Sequence, residues 1–304
     1  MATPLAVPPP APGELQGDTT IWRVDDALWR RLAPLLAVDK PRKKPGRPRH
    51  DDRPLFNGVI WVLRTGAQWD QVPAEFGPKS TVHLRFQEWV QTGALQRAWQ
   101  AVLRDYDAFV GLDLHWQAGD GCLVKAPLGQ SGEAGAAEAT GRNPTDRGKT
   151  GTKRHVLTAA NGVPIAAIIS EANRTDMKKL GELLDAILVP GPDLPEDAPE
   201  EARPQLTLDR GYDYDDCRDT ARAHGYVPHI PRRASKDHPL PAPTDPQRHP
   251  PRRWVVEVAH AWFNRFRGLL IRWAKKAENY LGFVQLAATL IVYRKLSYAR
   301  SFPG

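Results

Sequence analysis

Three carboxylates occupy positions that an ordinary surface charge does not need. Asp120 lies inside the strand-like run WQAGDGCLVKA, where Gly119 and Gly121 leave room for a close approach to the backbone. Asp209 ends the apolar run QLTL and precedes Arg210-Gly211-Tyr212, so it belongs at the carboxyl end of a buried strand, where open α/β sheets hold ligands. Glu257 falls in the first turns of RRWVVEVAHAWFNRFRGLL. There Val255, Val258, Ala259, Trp262, Phe266 and Leu269 space out an apolar stripe, and Arg253, Glu257, His260, Asn264 and Arg267 form the polar one. Each acid alone has a plain reading: a turn or cap for Asp209, a strand-edge charge for Asp120, a solvated partner of Arg253 for Glu257. Gathered at one end of a sheet, they would repel by several kcal/mol at about 4 Å and a dielectric of about 20. A divalent cation relieves that repulsion. Hard oxygen ligands suit Mg²⁺ or Mn²⁺, whereas zinc would draw His and Cys. Two such ions about 3.5 to 4 Å apart activate a water or hydroxyl and stabilise the leaving oxygen of an in-line phosphoryl transfer.

The elements that must position these acids follow from the change of period along the chain. Residues 21–110 are helical, with Leu28, Leu32, Leu35 and Leu36, then Leu55, Val59, Ile60, Val62 and Leu63, recurring at three and four. From Trp116 the pattern shortens into apolar runs at 116–126, 153–169 and 205–208, bounded by Gly, Pro and Asn, which read as strands. Asn161-Gly162 between HVLTAA and VPIAAIIS predicts a hairpin whose two turn residues both take positive φ. Helices are expected at 176–188 and 214–224, a short strand at 227–230, and one or two long helices over 253–296. The class is mixed α/β. Pro-rich stretches at 1–20, 40–50, 190–204 and 238–251 read as a disordered tail, a basic tether, an acidic surface loop and a further loop.

The 304 residues carry 42 Lys and Arg against 35 Asp and Glu, a net charge of +7 that points to a polyanionic partner. Cys122 and Cys217 are too few for a disulfide framework or a four-ligand zinc site, which makes a reducing cytoplasm the simplest compartment. The longest apolar stretch, 281–293, is interrupted by Gly282 and Gln285 and falls short of the roughly 20 residues a bilayer requires. It reads as a buried helix, with no membrane partner, and the amino terminus lacks the pattern of a signal peptide.

The string NPTDRGKTGTKRHVLTAANGVPIAAIISEANRTD, then LTLDRGYD, then RRWVVE followed by AWFNRFRGLL, resembles the DDE transposases of bacterial insertion sequences, most closely the branch called insertion sequence family five. The resemblance runs over nearly all of residues 21–296. It implies a ribonuclease-H-like mixed sheet with helices over residues 111–304, preceded by an all-α, helix-turn-helix-like domain over 21–110. It also implies Asp120, Asp209 and Glu257 as the metal-binding catalytic triad. Arg253 and Glu257 match a Tyr, Arg, Glu, Lys signature in which Pro250 and Asn264 fill the first and last places. The expected activity is Mg²⁺- or Mn²⁺-dependent phosphodiester hydrolysis and strand transfer at the inverted-repeat ends of an element. A homodimer on double-stranded DNA and a cytoplasmic, nucleoid-associated location follow. Two alternatives stay open: a ribonuclease-H-like nuclease that never joins strands, and a DNA-binding regulator without chemistry.

Within the helical region, WDQVPAEFG followed by PKSTVHLRFQEWVQTG has the form helix, glycine-bearing turn, helix, with Ser80 the expected N-cap of a helix that would enter a major groove. An ordinary helical hairpin fits the pattern alone about as well, and the resemblance favours the DNA reader. Lys79, Ser80, Thr81, Arg85 and Gln87 are its candidate contacts. Lys43, Lys44, Arg47 and Arg49 in the tether are expected to clamp phosphates, with Gly46-Arg47-Pro48-Arg49 also similar to a minor-groove hook. Arg147, Lys149, Lys153 and Arg154 are expected to flank the scissile phosphate, and Arg253 is a further candidate DNA contact. Asn173 and Asp176 read as cap and turn residues. His83 and His155 read as surface or core, and His260 as a hydrogen-bonding or DNA-facing side chain.

Overall fold

A computed structural model describes residues 21–38, 48–129, 139–195, 198–233 and 253–301. Lys43, Lys44, Arg47, Pro250 and the Pro-rich tail at 1–20 lie outside the described residues. The chain divides into two compact units, one of residues 1–111, 265–269 and 278–304, the other of 112–264 and 270–277. The break after residue 111 falls one residue from the expected one, while residues 265–269 and 278–304, expected in the catalytic unit, group with the helical one. The run of buried side chains from Tyr280 to Leu296 surrounds the last helix on every side, which makes it a core element rather than an appendage.

The helical unit contains α1 (Asp26–Leu36), α2 (Asp52–Thr65), α3 (Lys79–Gln91) and α4 (Ala94–Val110). Asp25 caps α1 by accepting from the Leu28 N–H at 2.7 Å. The same carboxylate accepts from the Tyr293 hydroxyl at 2.8 and 3.0 Å, which ties that cap to the carboxyl-terminal helix. Trp89 is fully buried and its indole N–H donates to the Leu36 carbonyl at 2.9 Å. The segment before α3 differs from expectation. Residues 69–76 form two short 3-10 turns rather than a helix, since Pro73 and Gly77 interrupt the register, and the helix before the turn is α2. Ser80 is not the N-cap either: α3 begins at Lys79 behind Pro78.

The second unit holds a six-stranded sheet built from β1 (Trp116–Lys125), β2 (Gly141–Arg142), β3 (Thr150–Ala159), β4 (Pro164–Glu171), β5 (Gln205–Thr207) and β6 (Val227–His229), with α5 (Leu180–Asp185), α6 (Asp215–Ala223) and α7 (Trp254–Asn264). β4, β3 and β1 are antiparallel neighbours, and β5 and β6 continue the sheet parallel to β1. That order, three antiparallel strands followed by two parallel ones, is the ribonuclease-H-like mixed sheet. α7 packs on β1 and β3. The last helix of the chain, α8 (Ala277–Ser301), spans the 281–293 stretch anticipated as a buried helix.

The hairpin between β3 and β4 forms as expected, but its turn is different. Only Gly162 has positive φ, 76°, while the Asn161 side chain accepts from the Val163 N–H at 3.3 Å. Ala159 and Val163 close the turn from outside with a 2.9 Å bond, so the loop is longer than a two-residue turn and only one residue must be left-handed.

Candidate active site

The parallel pairing of β1 with β5 places Gln117 opposite Leu206 and Ala118 opposite Thr207. Asp120 follows two residues after Ala118 on β1 and Asp209 two residues after Thr207, just past the end of β5, near enough for its charge to act on Asp120. Asp209 also closes the following 3-10 turn, its Oδ1 accepting from the Gly211 N–H at 2.7 Å, so the cap reading and the site reading describe one residue. Asp120 accepts from its neighbour Gly121 at 2.8 Å. Burial pushes the Asp120 carboxyl up to about 6, Asp209 and Asp176 add to the rise, and the Gly121 N–H and Arg253 oppose it.

Glu257 stands on α7, exposed, and its Oε1 accepts from Arg253 Nη2 at 2.6 Å and Nε at 3.2 Å. Arg253 Nη1 lies 3.9 Å from Asp209 Oδ2. The bond to Glu257 and the charges of Asp120, Glu257 and Asp209 hold this guanidinium above its usual value, against some burial. Arg253 is therefore a cation standing among all three acids. Among the described residues no group of three or more His, Cys, Asp or Glu side chains forms a ready metal cage. The donor set still suits a hard divalent ion: the oxygens are all carboxylate, among the described residues Arg253 alone pairs with Asp209 and Glu257, and burial makes Asp120 resist ionising.

The glycines beside Asp120 serve packing. A Cβ at Gly119 would meet Leu208 Cδ2 at 3.0 Å, and one at Gly121 would meet Asp176 Oδ1 at 2.6 Å. Asp176 thus reaches the sheet on the face opposite the Asp120 side chain, where Lys153 pairs with it at 2.9 Å and His155 Nδ1 lies 3.5 Å away. The sequence reading took Asp176 for a turn residue; the signal available was the bare Gly121 backbone two strands away from it.

Several expected DNA contacts face inward. Lys153 is 8% exposed and donates to the Arg174 carbonyl at 2.9 Å. Arg154 is fully buried: its Nη2 donates to Asn264 Oδ1 at 3.1 Å, lies 3.4 Å from His260 Nδ1, and its guanidinium covers the Phe263 ring at 4.9 Å. β3 is the second strand from the centre and covered on both faces, so alternate residues have no route to solvent. The polar stripe of α7 shifts accordingly: Val256, His260 and Phe263 are buried. His260 is held neutral, pushed down to about 3 by burial and by Arg154, so it does not face DNA. Arg147 and Lys149 are exposed as expected, on a turn where Arg147 adopts φ 53°.

In the helical unit, Arg85 is buried and paired with Asp52 and with Glu88, the latter at 3.1 Å, which removes it from the contact set. Arg49 is also held, 2.9 Å from Glu88. Lys79 and Ser80 are exposed, Thr81 and Gln87 half-buried. His83 stacks on Trp69 with ring centroids 4.6 Å apart. Among the described residues no helix is long and apolar enough to cross a membrane.

Comparison with known proteins bears on this arrangement. The family described as "Transposase DDE domain" matches residues 120–292, more than half the chain and from the first of the three acids through the last. The chain belongs to the DDE transposases. A second family, "Putative transposase of IS4/5 family (DUF4096)", matches residues 24–99 and places this transposase in the IS4/5 group. The "Putative transposase for insertion sequence element IS402" of Burkholderia cepacia is 37% identical over 165 residues, covering 53% of this chain and 71% of the relative. The "Insertion element IS402 uncharacterized 16.2 kDa protein" of the same organism is 33% identical over 125 residues, 40% of this chain and 80% of the relative. Among solved structures, the Mos1 strand transfer complex is similar at 15% identity over 82% of this chain and 78% of that one, with a TM-score of 0.25. The transposase is an enzyme of DNA cleavage and transfer, its family dependent on divalent metal.

Proposed function

We propose that Asp120, Asp209 and Glu257 are the catalytic triad of this transposase and would hold two Mg²⁺ or Mn²⁺ ions. Bound metal supplies a polarised phosphodiester and an acidified water or 3′-hydroxyl. The observation that carries the reading is that Arg253 pairs with Glu257, lies 3.9 Å from Asp209 and feels the charge of Asp120 as well, so one cation stands among all three acids. Glu257, exposed on α7, would leave Arg253 for the metal when it binds. Arg253, so released, is placed to donate to a phosphate oxygen, a charge-assisted bond of the strong kind. No side chain here acts as a covalent nucleophile. The helical unit reads the element's inverted-repeat ends with the exposed start of α3, at Lys79, Ser80 and Thr81, and with Gln87. Lys43, Lys44 and Arg47 add phosphate contacts, and Arg147 and Lys149 do the same on the catalytic unit, whereas Arg49 is engaged by Glu88. Two ends must meet for joining, so the DNA complex is at least a dimer.

The test incubates purified protein and Mg²⁺ with DNA carrying the inverted repeats. Nicks at the element ends followed by joined products are expected, and Asp120→Ala, Asp209→Ala or Glu257→Ala should each abolish both while end binding persists. Full activity in any one variant overturns the triad. Cleavage without joining would mark a nuclease, and binding without cleavage a regulator.

A further inference from the structure

The cations expected to meet phosphate on β3 are buried, yet a basic cavity opens close to them. β4 occupies one edge of β3 as far as Glu171, opposite Thr152, and β2 takes over that edge at Gly141, opposite Gly151. At the seam lies a cavity of about 480 Å³ lined by Thr140, Arg142, Glu171, Asn173, Arg174 and Lys178, among others. Arg142, Arg174 and Lys178 are exposed, and they face one carboxylate, Glu171, whose Oε2 lies 3.5 Å from Arg174 Nε.

The floor of this cavity is fixed. Asn173 packs so closely on Gly141 that any Cβ there would collide with its Oδ1. The Arg174 N–H donates to the Glu171 carbonyl at 3.0 Å, and its carbonyl accepts from buried Lys153, which Asp176 holds at 2.9 Å. Lys153 thus serves from behind the cavity, locking the backbone of a residue that faces it. A rigid, cationic, open cavity binds an anion with little ordering cost. Its volume exceeds what one inorganic ion fills and matches a stretch of a larger ligand.

We propose that this cavity takes backbone phosphates of duplex DNA beside the scissile bond, through Arg142, Arg174 and Lys178. The proposal rests on the transposase reading, and names a part of the catalytic unit that grips its substrate. The position fits. Two strand spacings and four residues of rise separate Asp120 from Glu171, on the order of 17 Å. That distance is about five base-pair rises at 3.4 Å each. Arg147 and Lys149, exposed on the turn that follows Arg142, extend the same basic tract.

The experiment measures binding of full-length protein to a mixed-sequence duplex as salt is varied, with metal chelated so that no cleavage intervenes. The triple variant Arg142→Ala, Arg174→Ala, Lys178→Ala should lower the slope of log K against log salt by about 2.7, near 0.9 for each lost contact. Its melting temperature should match the wild type, and the three residues exchanged between Arg and Lys should restore the slope. Arg222→Ala, which removes an exposed α6 cation paired with Asp219, should leave the slope unchanged. An unaltered slope in a folded triple variant overturns the proposal, as does an equal fall in the Arg222 control. Inorganic phosphate titrated at constant ionic strength separates the two sources of anion: lost phosphate binding with an intact DNA slope would assign the cavity to a free ion and reject the DNA role. If wild type joins no strands with Mg²⁺, the transposition reading fails while the slope still reports on the cavity.

Discussion

Asp120, inside β1, and Asp209, two residues past the end of the neighbouring parallel strand β5, stand close enough for the charge of Asp209 to act on the Asp120 carboxyl. Burial disfavours the ionised form of Asp120, and the charges of Asp209 and Asp176 add to this, so that its pKa reaches about 6. A carboxyl whose folded value exceeds its unfolded one of about 3.9 loses stabilisation as pH rises from 4 through 6. Asp120→Asn should therefore raise the metal-free stability at pH 8 by roughly 1–2 kcal/mol while reducing the increase in melting temperature that Mg²⁺ produces. Thermal melts with and without Mg²⁺ decide this, and a lower metal-free melt would refute mutual repulsion at the site.

Arg253 is the only cation that the geometry shows touching two of the three acids among the described residues. Replacing it by Gln keeps a hydrogen-bond donor but leaves three negative charges uncompensated. The expected result is a lower metal-free melting temperature together with a larger Mg²⁺-induced rise, because ligand stabilisation grows with affinity. If Mg²⁺ stabilises Arg253→Gln no more than wild type, the guanidinium does not compete with metal for the carboxylates.

Much of this arrangement was legible before any coordinates. Asp209 was visible because the apolar run QLTL stops there, Asp120 because a charge flanked by two glycines interrupts a strand-like run, and the α7 acid because its helix has a strong period. What was not legible is sidedness. A run such as Lys153-Arg154-His155 looks solvated, yet β3 lies inside a sheet covered on both faces, so its charges turn inward and find Asp176, His260 and Asn264. Arg85 misled in the same way, since its partner Asp52 is distant in sequence. The bare backbone at Gly121 signalled a close approach, but not that the approaching group is Asp176 of the same chain. The last helix was assigned to the nearer domain because sequence gives no sign that the chain returns to an earlier core.

Two buried histidines give a pH dependence with a definite sign. His155, bonded to Ser170 Oγ at 2.8 Å, and His260 are both held below the usual imidazole value, mainly by burial, His260 down to about 3. The unfolded chain takes up protons near pH 6.5 that the folded chain refuses. Stability should therefore be full above pH 6.5 and fall as pH drops from there toward 3. Replacing His260 by Gln should flatten this acid limb of the melting curve. An unchanged limb in both His260→Gln and His155→Gln would show that these imidazoles do not refuse protons in the fold.

Arg154 offers a direct choice between a structural and a DNA-facing role. Its guanidinium is fully buried over Phe263, and among the described residues no carboxylate pairs with it. A buried charge of this kind is replaceable by an apolar side chain of similar length at small cost, while its loss removes a positive neighbour of His260. Arg154→Met should change stability by less than about 1.5 kcal/mol, leave the salt slope of DNA binding intact, and raise the His260 pKa as followed by NMR. A contact to phosphate would show instead as a slope lower by about 1 with the His260 titration unmoved.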